Sequence, residues 1–142
     1  MKSVAELLRG KGHAILSVSP DVPVYEALTV MAEKNVGALL VLEGERLVGI
    51  LSERDYARKV ILKGKSSREI PVREIMSSQV LYVRPDHTIE DCMALMTDKR
   101  VRHLPVFDGE KLVGVVSIGD VVKAIIAEQS FVIEQLQNYI RS

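Results

Sequence analysis

Two stretches of the chain carry the same order of residue types: Gly49-Ile50-Leu51-Ser52-Glu53-Arg54-Asp55 and Gly114-Val115-Val116-Ser117-Ile118-Gly119-Asp120. A serine followed three residues later by an aspartate can serve two purposes. At the start of a helix the serine oxygen accepts a backbone N–H and the acid is favoured by the helix dipole, which makes a capping pair. The same first turn attracts anions, and its carboxylate is placed to accept hydrogen bonds from both hydroxyls of a ribose. The two uses are compatible, and the spacing alone does not choose between them. Arg54 stands between Ser52 and Asp55, where a guanidinium could grip phosphate in a bidentate way or lie solvated on the surface; Gly119 takes that place in the second stretch.

Few other residues are arranged for chemistry. His103 follows Arg102 at the start of an apolar run, as a neutral donor, a phosphate-facing cation or a structural histidine. His13 and His87 pair with no second histidine or cysteine at ligand spacing, so no metal site is expected. The single cysteine, Cys92, excludes an internal disulfide and reads as a small core residue on a helix rather than a nucleophile. No Cys-His or Ser-His-Asp arrangement, paired acid or phosphate-binding glycine loop is present, and an enzyme is therefore not expected.

The elements that must position these residues come from an internal repeat. A shift of about 65 residues lays Pro20-Asp21 on Pro85-Asp86, Met31 on Met96, Gly44-Glu45 on Gly109-Glu110 and Leu47-Val48-Gly49 on Leu112-Val113-Gly114; 16 of the 42 positions from Ile15 to Tyr56 are identical. Each copy opens with an apolar strand, Ile15 to Val18 or Val80 to Val83, closed by Pro-Asp. A helix follows, with Val24, Leu28, Met31 and Ala32, or Ile89, Met93, Met96 and Thr97, on its buried face. An apolar hairpin comes next, Ala38 to Leu42 with Leu47 to Leu51, or Leu104 to Phe107 with Leu112 to Val116. A second helix begins at Ser52 or Ser117, the first of them running to a stop at Gly64. The fold class is thus α/β, two β-α-β-β-α repeats that pack with pseudo-twofold symmetry about a central cleft, since one copy of about 60 residues buries too little surface alone. Residues 1–14 read as a leading helix and connection, 15–63 as the first repeat, 64–79 as a connection with a short helical turn, 80–127 as the second repeat and 128–142 as a C-terminal helix. The apolar stripe Phe131, Val132, Leu136 and Tyr139 on that last helix implies core or a homodimer interface.

The paired Gly-apolar-apolar-Ser-x-x-Asp stretches, together with Val101-Arg102-His103-Leu104-Pro105-Val106-Phe107-Asp108-Gly109, resemble the CBS domain family, named after cystathionine β-synthase, from about Ile15 to about Ala127. The resemblance implies tandem CBS domains that bind an adenosine-containing ligand. In ligand-binding members the serine and aspartate hold ribose, which corresponds to Ser52 and Asp55 in one copy and Ser117 and Asp120 in the other. Basic residues before the second strand meet phosphate, which corresponds to Arg102 and His103, with Arg54 a further candidate. The end of the first strand, Val18 or Val83, and the start of the second, Val36, Gly37 and Ala38 or Val101, enclose adenine. Gly37 and Ala38 stand where the second copy has Arg102 and His103; they cannot neutralise phosphate but could let a flat base approach the backbone, so the two sites should differ in ligand or affinity.

Composition narrows the rest. In 142 residues, 19 basic and 19 acidic side chains cancel, which leaves no global field for nucleic acid or an anionic membrane. The start, Met1-Lys2-Ser3-Val4-Ala5-Glu6, lacks the apolar run of a signal peptide, and no stretch approaches about 20 uncharged residues, so a cytoplasmic protein with no membrane association is expected. The leading expectation is a non-catalytic, signal-sensing homodimer that binds AMP, ADP, ATP or NAD(H) and requires no cofactor. Alternatives are a structural scaffold with empty clefts, in which Ser-x-x-Asp only caps helices, and a binder of S-adenosylmethionine.

Overall fold

A computed structural model describes residues 2–141. The chain forms two compact units: Ile15–Val80, and the first 14 residues together with everything from Leu81 onward.

In the first unit a two-residue strand β1 (Ser17–Val18) leads to helix α2 (Val24–Lys34), which follows the leading helix α1 (Val4–Lys11) in the chain. Strands β2 (Ala38–Glu43) and β3 (Arg46–Ser52) form an antiparallel hairpin, and helix α3 (Glu53–Lys59) runs into a 3₁₀ turn that ends at Gly64. The second unit repeats the order with α4 (Ile89–Lys99), β4 (His103–Asp108), β5 (Lys111–Ser117) and α5 (Ile118–Arg141). Both hairpins turn on a glycine with positive φ, Gly44 at 64° and Gly109 at 63°, a conformation in which a Cβ would be strained.

The first strands are shorter than their apolar runs suggest. β1 pairs with β2 in parallel, Val18 opposite Val41, and the Leu40 N–H donates to the Leu16 carbonyl at 3.2 Å. In the second copy the position of Leu40 is Pro105, which has no N–H to give. The expected strand Val80 to Val83 is accordingly reduced to one parallel bridge, Val83 with Val106.

The helix faces also differ at one edge from the expectation. Val24 and Met31, like Ile89 and Met96, are buried, but Ala32 and Thr97 are exposed, and Ala27 and Cys92 are buried in their place. Positions 27 and 32 flank the same apolar stripe on opposite sides, and the repeat pattern does not say which flank meets the sheet.

The segment 64–79 is not merely a connection. Ile70, Val72 and Ile75 are buried in the core of the first unit with Val24, Leu39 and Val60. The leading segment does the same for the second unit, where Val4, Leu7 and Leu8 are buried with Ile89, Leu104 and Val116. Three hydrogen bonds recur at equivalent places. Val24 donates to Ile70 O (2.8 Å), Val72 to Val22 O (2.9 Å) and Arg73 to Pro20 O (2.8 Å); at the matching places Ile89 donates to Lys2 O (3.0 Å), Val4 to His87 O (2.8 Å) and Ala5 to Pro85 O (3.0 Å). Close packing is equivalent too. A Cβ on Gly49 would lie 2.7 Å from Met76 Sδ, and one on Gly114 would lie 2.9 Å from a Leu8 methyl. Each repeat is thus completed by a flanking segment, supplied from after the first repeat and from before the second.

The C-terminal helix is continuous with the last helix of the second repeat. No glycine or proline falls between Asp120 and Arg141, so nothing ends α5 at the repeat boundary. Beyond its buried Val121 and Ala124, the helix exposes Ile126, Phe131, Ile133, Leu136 and Ile140.

Candidate functional site

In both units the Ser-x-x-Asp pair sits where the last strand of the hairpin becomes a helix. Ser52 caps α3: its Oγ accepts from the Asp55 N–H at 3.2 Å, while Asp55 Oδ2 accepts from the Ser52 N–H at 3.0 Å and from the Ser52 hydroxyl at 3.1 Å. Ser117 and Asp120 repeat the exchange at 3.2 and 2.9 Å. The capping use of the motif is therefore realised in both copies.

The hairpin register brings the other expected residues beside these caps. Ala38 is opposite Ser52, and Gly37 O accepts from the Glu53 N–H at 3.0 Å, which ties the start of β2 to the first turn of α3. His103 is opposite Ser117 in the same way, and Arg102 O accepts from the Ile118 N–H at 2.8 Å. Val36 and Val101 each donate to the methionine carbonyl five residues back, Met31 or Met96, at the left-handed ends of α2 and α4. Val18 is part-buried at its strand end, whereas the Val83 side chain lies in the core and its N–H and carbonyl are bonded to Pro105 O and the Phe107 N–H. The Arg54 and Arg102 side chains are exposed and make no hydrogen bond or ion pair among the described residues.

Two lysines escaped the sequence reading. Lys11, the last residue of α1, donates to Asp120 Oδ2 at 2.6 Å and to Val115 O at 2.7 Å. Lys59 lies 3.3 Å from Asp55 Oδ1 and donates to Ile75 O at 2.9 Å. In each repeat one ammonium therefore links the aspartate of the cap to backbone, and each link joins the flanking segment to the repeat it completes. Lys59 was legible as an i,i+4 partner of Asp55. Lys11 was not, being 109 residues from Asp120.

Electrostatics distinguish the second site. Burial alone would raise the Asp120 carboxyl, but hydrogen bonds from Lys11 and from the Ser117 backbone, with the Lys11 charge, more than offset it and hold the group below the ordinary aspartate value. Burial pushes His103 down, and the Lys11 and Arg102 charges push it the same way against the pull of Asp120. Lys11, Arg102, His103 and Asp120 thus form one electrostatic group in this unit. Elsewhere, His13 Nδ1 lies 2.8 Å from Val113 O and His87 Nδ1 accepts from the Arg84 N–H at 2.9 Å. Burial and the Asp91 charge raise the Cys92 thiol to about 11, which leaves almost no thiolate for nucleophilic attack. Among the described residues no cluster of three or more histidine, cysteine or acidic side chains could hold a metal ion, and no helix is long and apolar enough to cross a membrane.

A tandem unit of this kind, with a capped strand-to-helix junction in each copy, defines a class: the chain belongs to the CBS domain family, whose pattern matches residues 4–62 and 72–127. Both matches take in parts of the flanking segments. The chain is similar to the mitochondrial CBS domain-containing protein CBSX3 of Arabidopsis thaliana, with 38% identity over 98% of this chain and 72% of the relative. Among solved structures it resembles a protein with CBS domains from Burkholderia ambifaria, with 50% identity, a TM-score of 0.87 and coverage of 90% of this chain and 96% of that one. At 20% identity and a TM-score of 0.78, over 90% of this chain and 98% of that one, it also shares the fold of the CBS domain pair of protein MJ0100, solved with 5′-methylthioadenosine and S-adenosyl-L-methionine.

Proposed function

We propose that this CBS pair is a non-catalytic regulatory module whose ligand is an adenosine-containing nucleotide, AMP, ADP, ATP or NAD(H), read by Ser117, Asp120, Arg102 and His103 in the second repeat. The observation that carries the reading is the joining of a ribose-competent carboxylate to an exposed arginine through one hairpin register, His103 opposite Ser117. Asp120 Oδ1 has no hydrogen-bond partner among the described residues and is available to a ribose hydroxyl. The first repeat has the same carboxylate in Asp55, with Gly37 and Ala38 beside it and Arg54 as its nearby free guanidinium, so it is read as a second site of weaker phosphate affinity. Val18, Val36 and Val101 are the candidate adenine contacts, with Val83 fixing the end of the first strand beside them. A CBS pair of this fold holds two adenosine derivatives in protein MJ0100, which supports the ligand class and keeps S-adenosylmethionine as an alternative. The proposal includes a homodimer through the exposed face of α5 and a cytoplasmic location. It requires no cofactor, nucleic acid or membrane.

A scaffold reading is favoured by one observation, that both Ser-x-x-Asp pairs are already complete caps. Calorimetric titration with AMP, alongside thermal melts, separates the two. A charge-assisted hydrogen bond contributes about 1.5–3 kcal/mol, so Asp120→Ala should weaken AMP binding roughly 10- to 100-fold. A residue that only caps would lose about 0.5–2 kcal/mol of stability on the same substitution and leave affinity intact. Parent-like AMP affinity in Asp120→Ala and Asp55→Ala, with lowered melting temperatures, would overturn the ribose assignment.

A further inference from the structure

We infer that Lys11 is the specificity residue by which the second repeat prefers a phosphorylated nucleoside to an unphosphorylated one. The inference rests on the nucleotide reading above and deepens it. Asp120 Oδ2 is already held by the Lys11 ammonium at 2.6 Å and by the Ser117 N–H at 2.9 Å. A single ribose hydroxyl can use Oδ1. A diol that engages both carboxylate oxygens must take the place of the ammonium on Oδ2, because the backbone bond belongs to the cap.

The ammonium can turn away from Oδ2 without unpacking its helix, its other bond being to the Val115 carbonyl at 2.7 Å. Lys11 is the last residue of α1, its side chain is 34% exposed, and the core contacts of the helix are made by Val4, Leu7 and Leu8. What it gains on leaving depends on the ligand. Adenosine offers only water in exchange for a carboxylate. Arg102 immediately precedes β4 beside the cap, its carbonyl accepting from the Ile118 N–H at 2.8 Å with His103 opposite Ser117, so a 5′-phosphate drawn to it brings a new anion to the turn where Lys11 holds Asp120, and the broken ion pair is replaced by another. Lys11 therefore penalises the nucleoside and favours the nucleotide. In the first repeat both carboxylate oxygens are engaged, and the ammonium comes from the repeat itself rather than from the leading helix. Lys59 of α3 lies 3.3 Å from Asp55 Oδ1 and leaves Oδ2 to the cap.

The test is calorimetric titration of the full chain with AMP and with adenosine, for the parent, Lys11→Met, Lys11→Arg and Arg102→Ala. In Lys11→Met adenosine should bind severalfold more tightly and AMP more weakly, so that the ratio of the two affinities falls by about tenfold or more, the value of one charge-assisted contact. Lys11→Arg should keep the parent ratio. Arg102→Ala should weaken AMP without strengthening adenosine, which separates loss of a phosphate contact from release of Asp120. Lys11→Gln, neutral and polar, repeats the measurement should Lys11→Met unfold. A parent that binds both ligands and a neutral variant with an unchanged ratio overturn this inference and leave the nucleotide reading standing. A parent that binds neither of them, nor ADP, ATP or NAD(H), overturns both.

Discussion

His103 carries the pH dependence that the second site should show. Its ring is half-buried among charged neighbours, and burial, reinforced by Lys11 and Arg102, holds its pKa below the ordinary histidine value near 6.5. The folded state therefore binds fewer protons than the unfolded chain across the interval between the two values. Stability contributed by the neutral ring is fully present above about pH 6.5 and is lost as pH falls toward the lower folded value. Thermal melts between pH 7.5 and 5 should decline toward acid, and His103→Gln should flatten that decline; an equal slope in parent and variant would remove His103 as its source. At this scale the chain was partly readable. Ser52, Asp55, Ser117 and Asp120 were found by their repeated spacing, whereas Gly37, Ala38, Arg102 and His103 came from the resemblance to the CBS family, and the hairpin register sets them beside the caps. Lys11 could not be found that way, because its partnership is made by packing between distant segments, and neither lysine nor aspartate is unusual in its local sequence.

The secondary elements follow the repeat closely where periodicity is strong and depart from it where a neighbour intervenes. Both hairpins and both amphipathic helices were legible; the loss of the strand before Val83 turns on one missing N–H at Pro105, and the burial of Ala27 and Cys92 over Ala32 and Thr97 turns on which side of the helix meets the sheet. The length of α5 was legible in principle, since the absence of glycine and proline after Gly119 leaves no stop. Along its exposed side Val122, Ile126, Ile133, Leu136 and Ile140 recur at alternating spacings of four and three, with Gln129 the polar member of the series. Such a seam is suited to a second helix, and each of its larger side chains is worth about 1.5–3 kcal/mol if fully buried. Leu136→Asp, or truncation after Glu128, should convert the proposed dimer to a monomer in light scattering. Because Leu136 is 57% exposed in the protomer, the substitution should leave the melting temperature of a dilute sample nearly unchanged. A parent chain that is monomeric at micromolar concentration would remove the dimer.

At the scale of the whole chain, the shift of about 65 residues that aligns the two repeats misses their most consequential equivalence. Ile70-Pro71-Val72-Arg73-Glu74-Ile75-Met76 and Lys2-Ser3-Val4-Ala5-Glu6-Leu7-Leu8 do the same work, but one follows its repeat and the other precedes the opposite one, so no single shift superimposes both. Only Val and Glu are identical between them, too little to be noticed without the hydrogen bonds. Removal of residues 1–12 should therefore expose the Ile89 amide, whose acceptor is Lys2 O, to fast hydrogen exchange, while the Val24 amide, bonded to Ile70 O, keeps its protection. Equal deprotection of the two amides would mean that the units do not open independently. The same arrangement fixes an order of events on the ribosome. Residues 15–80 have all their core partners as soon as Met76 has left the exit tunnel, whereas Val4, Leu7 and Leu8 must wait, uncovered, until Val121 and Ala124 have left it. A nascent chain of this kind holds an unsatisfied apolar segment until its second repeat is complete, the period in which such surfaces recruit chaperones or stray onto neighbours.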